Sequence, residues 1–322
     1  RLGAAEAPPA IVSMYLGGEL SDIFDAIEMG NEYKCINRPP MQVGVTSLPN
    51  FPKDSTDRNR TSPFAFTGDK FEFRMLGSRF SLSGFNTVLN TAVADVLSDF
   101  ADELEGAQDF NDSLEKLIRK AFSNHKRVIF SGNNYSAAWK EEAEKRGLSN
   151  LDNTVDALSA YICIENTKLF GKHGVFTRAE LESRYEILLD MYSKTLQIEG
   201  YTMVEIVRKY ILPACFAYQK DLSQVLMQKK SCDAGLDCTT ETLYLEAFSN
   251  GAAILHKAIS VLKSALAMAE KEELALEQAR FYQKNVIDAM DAMRNTVDFL
   301  ETICDEKYWP LPSYGELLYS VD

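Results

Sequence analysis

A loop and the strand after it bring several charged side chains together: Arg58 and Arg60 in the loop, then Lys70, Glu72 and Arg74. From Lys70 onward charged and apolar residues alternate, which is typical of a half-buried strand with its charges on one face. A carboxylate can hold a divalent cation, and guanidinium groups bind oxyanions, so this face could hold a metal-bound phosphate. The alternative is a solvent-facing antiparallel strand whose charges pair with a neighbouring strand.

The elements that would position these charges are short. Pro9–Leu16 and Met41–Val45 are predicted strands, and Leu20–Met29 is a predicted helix. Phe51–Asp69 is rich in residues that break regular structure and is predicted to be a loop. It runs into a predicted strand from Lys70 to Met75.

The next segment is predicted to be a helix that lies against the sheet and ends near Gly106. Its apolar residues at helical spacing are Val88, Leu89, Val93, Val96, Leu97 and Phe100. Almost everything after Asp109 has helical periodicity, whereas most prolines come earlier. We therefore predict two domains, residues 1–105 and residues 106–322.

The second region is predicted to be almost entirely helical. Before the last two helices, periodicity predicts helices at Ser113–Phe122, Ser136–Lys145 and Arg178–Ile198 and a longer one at Tyr201–Met227. Pro213 lies inside the last of these and should kink it, because proline lacks a backbone donor.

Two long helices near the C-terminus are the clearest feature of the pattern. Apolar residues step by three and four from Leu245 to Leu266 and again from Tyr282 to Leu300. Such seams predict two helices that pack as a hairpin or bundle. The seams either form the core of one chain or bind a partner in a coiled coil. The fold class is therefore α+β: an antiparallel sheet with helices, followed by long packed helices.

Composition excludes several classes of protein. The 322 residues are 46% hydrophobic and have a formal net charge of −13, which argues against nucleic-acid binding. We expect no membrane span, because no run of consecutive apolar residues is long enough for one, and no signal peptide is recognised. A cytoplasmic protein is therefore expected. The six cysteines are scattered, which suits free thiols in a reducing compartment.

Two motifs resemble a known family. The run from Asp57 to Arg74 reads DRNRTSPFAFTGDKFEFR, and the opening from Arg1 to Ile11 reads RLGAAEAPPAI. Both resemble catalytic-domain signatures of type III glutamine synthetases, in the family's order. Further along, KHGVFT at Lys172–Thr177 and SRYEILL at Ser183–Leu189 resemble the helical tail of the type III form.

The resemblance implies an ATP-dependent ligase that phosphorylates the side-chain carboxylate of glutamate and lets ammonia displace the phosphate. It implies that Arg1 holds the substrate carboxylate. Glu6 would close over the acyl phosphate and take a proton from ammonium, as a reaction that must exclude water requires. Arg60 would contact the nucleotide and neutralise the phosphoryl group during transfer.

The same resemblance gives roles to the strand. Lys70 would contact the nucleotide, Glu72 would bind the Mg or Mn ion that accompanies ATP, and Arg74 would orient glutamate and its phosphate. These roles favour the functional interpretation of the strand over the alternative of paired surface charges.

The resemblance also implies a catalytic domain that begins upstream of Arg1 and a homo-oligomer of stacked rings, with a dodecamer as the expected form. We therefore expect the chain to be the C-terminal portion of the protein, inactive alone. A catalytically inactive homologue that assembles and binds ligand without turnover is the alternative function.

Overall fold

The computed structural model describes residues 10–33, 62–74 and 81–319. These residues are mostly helical, with a small sheet of three strands. The chain divides into two compact units, Arg1–Glu182 and Ser183–Asp322. The domain boundary that we place after residue 105 stays a prediction. The predicted strand Met41–Val45 lies outside the described residues.

The sheet of the first unit is mixed. Its strands are β1 (Met14–Tyr15), β2 (Phe64–Phe66) and β3 (Phe71–Phe73), in that spatial order. β2 and β3 are antiparallel, whereas β1 and β2 are parallel. The expectation of a wholly antiparallel sheet was therefore wrong, because β1 and β2 are joined by a long connection that includes a helix and not by a hairpin. β2 lies within Phe51–Asp69, so the prediction of a loop was wrong for Phe64–Phe66, which pair with β3.

The first four helices of the first unit were predicted, whereas the last two lie between Lys145 and Arg178, where no helix was predicted. The helices are α1 (Gly18–Met29), α2 (Leu82–Leu104), α3 (Phe110–His125), α4 (Ala137–Lys145), α5 (Thr154–Leu158) and α6 (Ile164–Lys172). Local chemistry explains their ends. Ser136 accepts a hydrogen bond from the backbone N–H of Trp139 and so caps α4, while Gly30 closes α1 in the left-handed conformation, with φ 70°.

Helix α2 touches the sheet through its first turn. The ring of Phe85 stacks on that of Phe73 in β3, with 3.7 Å between ring centroids. The side chains that we predicted to face the sheet are largely exposed, among them Val88, Val93 and Leu97. The predicted contact face was therefore wrong over most of the helix, which packs instead against α3 and α6.

A continuous helical stretch runs from Arg178 to Cys232. It consists of α7 (Arg178–Ile206), a π-helical turn (Val207–Ile211) and α8 (Leu212–Cys232). The break that we predicted before Tyr201 is absent, because Gly200 continues the helix and allows a close approach. A Cβ atom on Gly200 would lie 3.0 Å from the side chain of Leu266.

Pro213 lies at the start of α8, immediately after the π-helical turn. A proline ring clashes with the carbonyl group four residues earlier, and a π-helical turn widens the backbone at that point. The irregularity that Pro213 imposes is thus taken up by the residues that precede it.

The two long helices with predicted seams form the core of the second unit. They are α9 (Thr239–Ala269) and a stretch made of α10 (Ala275–Phe281), a π-helical turn (Tyr282–Val286) and α11 (Ile287–Ile303). α9 packs against both α8 and α11. The seams meet within this chain: Phe248, Leu255, Leu262 and Leu266 of α9 and Tyr282, Val286, Met293 and Leu300 are buried in one cluster. A short helix, α12 (Tyr314–Tyr319), follows.

Helix α9 is long and apolar enough to cross a membrane by length and composition alone, contrary to our sequence-based expectation that no segment is. A core helix of a soluble protein passes the same test, and a full face of α9 is buried among α8 and α11. Packing therefore accounts for its apolar character on that face.

Candidate functional site

Of the charged residues singled out above, Lys70, Glu72 and Arg74 lie in or beside the hairpin formed by β2 and β3, while Arg58 and Arg60 lie outside the described residues. Ala65 pairs with Glu72, and Phe66 pairs with Phe71. The turn is closed by Thr67, whose backbone N–H and side-chain hydroxyl both donate to the carbonyl oxygen of Lys70, at 2.8 Å and 3.3 Å. Gly68 has φ 103° in this turn, a conformation that favours glycine.

Glu72 and Arg74 form an ion pair on one side of this hairpin. Nη2 and Nε of Arg74 lie 3.1 Å and 3.3 Å from the same oxygen, Oε2 of Glu72. The Arg74 side chain is 16% exposed and that of Glu72 is 42% exposed. The prediction that both side chains share a face is confirmed. Their contact leaves the other carboxylate oxygen, Oε1, outside the pair.

A backbone hydrogen bond fixes the position of the Arg74 main chain. Its N–H donates to the carbonyl oxygen of Pro63 at 2.8 Å, which extends the hairpin one residue past β3. Pro63 is itself buried. The base of the Arg74 side chain is thus held by the backbone, while its guanidinium group is held by Glu72.

The other predicted site residues do not take part in this ion pair or lie outside the described residues. Lys70 is exposed at the turn end of the hairpin. Arg1, Glu6 and Arg60 lie outside the described residues. Of the six site residues, the structure therefore brings Glu72 and Arg74 into contact, and the roles of all six stay predictions.

A single carboxylate can contribute to a metal site but cannot complete one. Within residues 10–33, 62–74 and 81–319, no group of three or more His, Cys, Asp or Glu side chains could hold a metal ion. Glu72 still fits a Mg or Mn ion as one ligand, because its Oε1 is an anionic oxygen on a partly exposed side chain. Phosphate oxygens, water and other protein groups would supply the remaining ligands.

The KHGVFT motif has a structural role within the first unit. Nζ of Lys172 lies 2.7 Å from Asp95 in α2, and Nε2 of His173 lies 2.9 Å from the same carboxylate. Hydrogen bonds from Lys172 and then from His173 lower the pKa of Asp95. The pKa of Lys172 is raised in turn, chiefly by its hydrogen bond to Asp95. The motif thus attaches the end of α6 to α2.

A buried polar network beside the hairpin was missed by sequence reasoning. The amide of Asn134 accepts a hydrogen bond from the Ser13 hydroxyl and donates to the Ser62 hydroxyl at 3.3 Å. All three residues are 1% exposed. No local signal could have found them, because serine and asparagine are common in loops and the partners are far apart in sequence.

Comparison with known proteins places these features in context. Residues 113–230 match the model of the glutamine synthetase C-terminal domain. A glutamine synthetase of Butyrivibrio fibrisolvens is 39% identical over 100% of this chain and 46% of its own length. A type-3 glutamine synthetase of Dictyostelium discoideum is 37% identical over 99% of this chain and 44% of its own length.

A more distant relative agrees with these two. A glutamine synthetase of Bacteroides fragilis (strain YCH46) is 29% identical over 99% of this chain and 45% of its own length. The chain spans less than half the length of each of these curated relatives.

Proposed function

We propose that this chain, which belongs to the glutamine synthetase family, is the C-terminal portion of a type III member and part of an ATP-dependent glutamate–ammonia ligase. The activity is that of a whole enzyme, because the chain spans less than half of its relatives. The observation that carries the proposal is the Glu72–Arg74 pair, which the hairpin holds inside the run that resembles the family signature.

In the proposed reaction, an oxygen of the glutamate side-chain carboxylate attacks the γ-phosphorus of ATP, and ADP leaves. Ammonia then attacks the acyl carbon of the γ-glutamyl phosphate, and inorganic phosphate leaves as the amide forms. Charge builds on the transferring phosphoryl group, so cationic side chains along its path lower the barrier. Arg60 has that role in this proposal, and Arg74 orients glutamate.

Glu72 would be one ligand of the Mg or Mn ion that accompanies ATP, whose chemistry is to screen the phosphate charges. The pairing with Arg74 supports this arrangement, because the guanidinium group fixes the carboxylate through Oε2 and leaves Oε1 for the ion. Lys70 contacts the nucleotide from the exposed end of the hairpin.

Glu6 and Arg1 complete the contribution of this chain in the proposal. Acyl phosphates hydrolyse readily, so a lid must exclude water, and ammonium must lose a proton before it can attack. Glu6 takes that proton and closes the site, and Arg1 binds the substrate carboxylate. Further groups come from the part of the enzyme that this chain does not span.

Assembly into a large homo-oligomer of stacked rings is also proposed, with self-association through the helical region. One feature of α9 supports it: Ile254, Val261 and Met268 recur every seven residues and are each more than half exposed. Helix α9 therefore has a second apolar face besides the one in the core. A cytoplasmic location is proposed as well, supported by free cysteines among the described residues.

The test is a coupled assay of the full-length enzyme for ADP release that depends on both glutamate and ammonia, with glutamine measured directly. Release of ADP that requires both substrates, together with an equal amount of glutamine, is the expected result. Ligand binding without ADP release would instead establish the alternative, a catalytically inactive homologue that assembles without turnover.

A further inference from the structure

We infer that Asn134 is a positioning residue for the Glu72–Arg74 pair, which it holds in place through Ser62 and the β2–β3 hairpin. Asn134 lies after the run that resembles the catalytic signature, in the region that we predict to be the helical domain. The inference rests on the proposed function, because the roles of Glu72 and Arg74 come from there.

The first step is the network itself. Asn134 joins residues from two separate segments: Ser13, directly before β1, and Ser62, two residues before β2. Because all three residues are 1% exposed, water does not compete for these hydrogen bonds. Without Asn134, the Ser13 hydroxyl would stay buried and would lose the acceptor of its hydrogen bond.

The second step leads from Ser62 to the ion pair. Ser62 is followed by the buried Pro63, whose carbonyl oxygen accepts the N–H of Arg74 at 2.8 Å. A shift of Ser62 therefore moves the acceptor that holds the backbone of Arg74. Since Arg74 holds Oε2 of Glu72, the metal-binding carboxylate would move with it.

The third step concerns how Asn134 is itself held. Ile129 forms a parallel bridge with Met14, and the N–H of Phe130 donates to the carbonyl oxygen of Met14 at 3.0 Å. The ring of Phe130 stacks on that of Trp139 in α4, with 3.8 Å between ring centroids. The segment that leads to Asn134 is thus bonded to the sheet on one side and packed against α4 on the other.

A tight turn brings the amide to its partners. A Cβ atom on Gly132 would lie 2.5 Å from the ring of Phe130, so this position has no room for a side chain. The carbonyl oxygen of Gly132 accepts a bond from the amide nitrogen of Asn134 at 3.4 Å. Because that carbonyl can only accept, it fixes which end of the amide faces Ser62.

Asparagine meets these demands and its close relatives do not. The network needs one acceptor for Ser13 and two donors, for Ser62 and for the carbonyl of Gly132. Aspartate has nearly the same shape but no donor when ionised, and alanine has neither group. Asn134→Asp and Asn134→Ala therefore remove different parts of the network at similar or smaller volume.

The experiment combines hydrogen exchange with kinetics in the full-length enzyme. Hydrogen exchange of the Arg74 backbone amide is measured in the parent, in Asn134→Ala and in Ser62→Ala. The control is Leu117→Ala, a cavity variant of a buried residue in α3 of the same unit. Both network variants are expected to accelerate exchange at Arg74 by about tenfold, whereas the control should leave that amide close to the parent.

Kinetics supply the second readout. The KM for glutamate should rise by about tenfold in Asn134→Ala with a smaller change in kcat, because a misplaced Arg74 weakens substrate orientation. The double variant Asn134→Ala, Ser62→Ala should raise the KM little more than either single variant does, because both substitutions break the same hydrogen bond between Asn134 and Ser62. Asn134→Asp should resemble the alanine variant.

Unchanged exchange at Arg74 in Asn134→Ala, or an equal acceleration in Leu117→Ala, overturns the inference. If exchange at Arg74 accelerates while the parent enzyme shows no glutamate-dependent turnover, the proposed function fails and the positioning of the hairpin by Asn134 is supported. The two failures are therefore distinguishable.

Discussion

Gly251 of α9 lies directly against Leu300 of α11: a Cβ atom on Gly251 would be 2.7 Å from Cδ2 of Leu300. Leu300 is fully buried, so it has little room to move aside. The glycine thus sets how closely the two seam helices approach. Glycine is otherwise a weak helix former, which indicates that packing and not propensity accounts for it here.

Gly251→Ala is expected to lower the free energy of unfolding. Overpacking costs about 1–3 kcal/mol, while the gain in helix propensity recovers at most about 1 kcal/mol. The control is Gly171→Ala in α6, where a Cβ atom would meet nothing within 4 Å, so the propensity gain should appear alone. Urea unfolding of both variants tests this, and a stabilised Gly251→Ala would show that Leu300 moves aside freely.

Glu72→Gln should lose metal-dependent nucleotide binding with little loss of stability. The amide keeps the shape of the side chain but replaces an anionic oxygen that a hard cation prefers. Asp69→Asn is the matched control, because Asp69 is an exposed carboxylate in the same hairpin turn. Calorimetry of the full-length enzyme with Mg-nucleotide gives the affinities. Tight binding by Glu72→Gln equal to that of the parent would remove Glu72 from the metal site.

The attachment of α6 to α2 should depend on pH. The pKa of Asp95 is lowered in the folded state, first by Lys172 and then by His173. The ionised carboxylate therefore contributes to the free energy of unfolding above its ordinary pKa of 3.8, and this contribution is lost as the pH falls through the folded-state pKa. The pKa of Lys172 is raised, so its ammonium group contributes to the free energy of unfolding below the ordinary pKa of 10.5. This contribution is lost as the pH rises through the folded-state pKa.

Asp95→Asn is therefore expected to be less stable than the parent near neutral pH and to approach it as the pH falls through the lowered pKa of Asp95. Urea unfolding midpoints from pH 2 to 7 give the comparison. Asp102→Asn, an exposed change on the same helix, is the control and should follow the parent throughout. A difference between Asp95→Asn and the parent that is constant over this range would show that the ion pairs contribute nothing.

Cys215 should resist alkylation until the protein unfolds. It is fully buried, and burial, with a smaller effect of Cys304, raises its pKa to about 11. Only about one thiol in a thousand would then be ionised at pH 8, and the thiolate is the reactive form. Cys232 is exposed at the end of α8 and serves as the internal reference. Mass spectrometry of alkylated peptides should find Cys232 modified first; equal rates would contradict the burial of Cys215.

Sequence periodicity predicted the features that repeat within one element. The seams of α9 and α11 step by three and four, so the residues buried in the core could be named in advance. Helices α1 to α4 and the shared face of Glu72 and Arg74 follow from the same kind of local rule, whereas α5 and α6 were not predicted. Burial of these seams within one chain is now established by the structure.

Features that depend on distant partners could not be predicted. Gly200 resembles a helix breaker in sequence, but it continues the helix because Leu266 lies against it. The parallel pairing of β1 with β2 and the bonds of Asn134 likewise join segments far apart in the chain. A periodic pattern of apolar residues also does not show which element the apolar face packs against. The pattern of α2 therefore did not predict that these residues are largely exposed in this chain.

Substitutions at three adjacent residues of α9 can distinguish an effect on folding from an effect on assembly. Leu255 is fully buried in the core, Ile254 is 52% exposed on the second apolar face, and His256 is exposed. An aspartate at any of these positions adds the same charge to the same helical turn. Differences in stability or assembly among the three variants therefore come from the surroundings of each side chain. Leu255→Asp should destabilise the fold by several kcal/mol, because it buries an unpaired charge.

Ile254→Asp and His256→Asp should both unfold close to the parent, because neither buries the new charge. If the second apolar face of α9 lies between subunits, as the proposed self-association requires, Ile254→Asp will form a smaller assembly and His256→Asp will not. Light scattering of the full-length enzyme measures the size, with urea unfolding alongside. An assembly of parental size in Ile254→Asp would exclude this face from the subunit contacts and place self-association elsewhere on the chain.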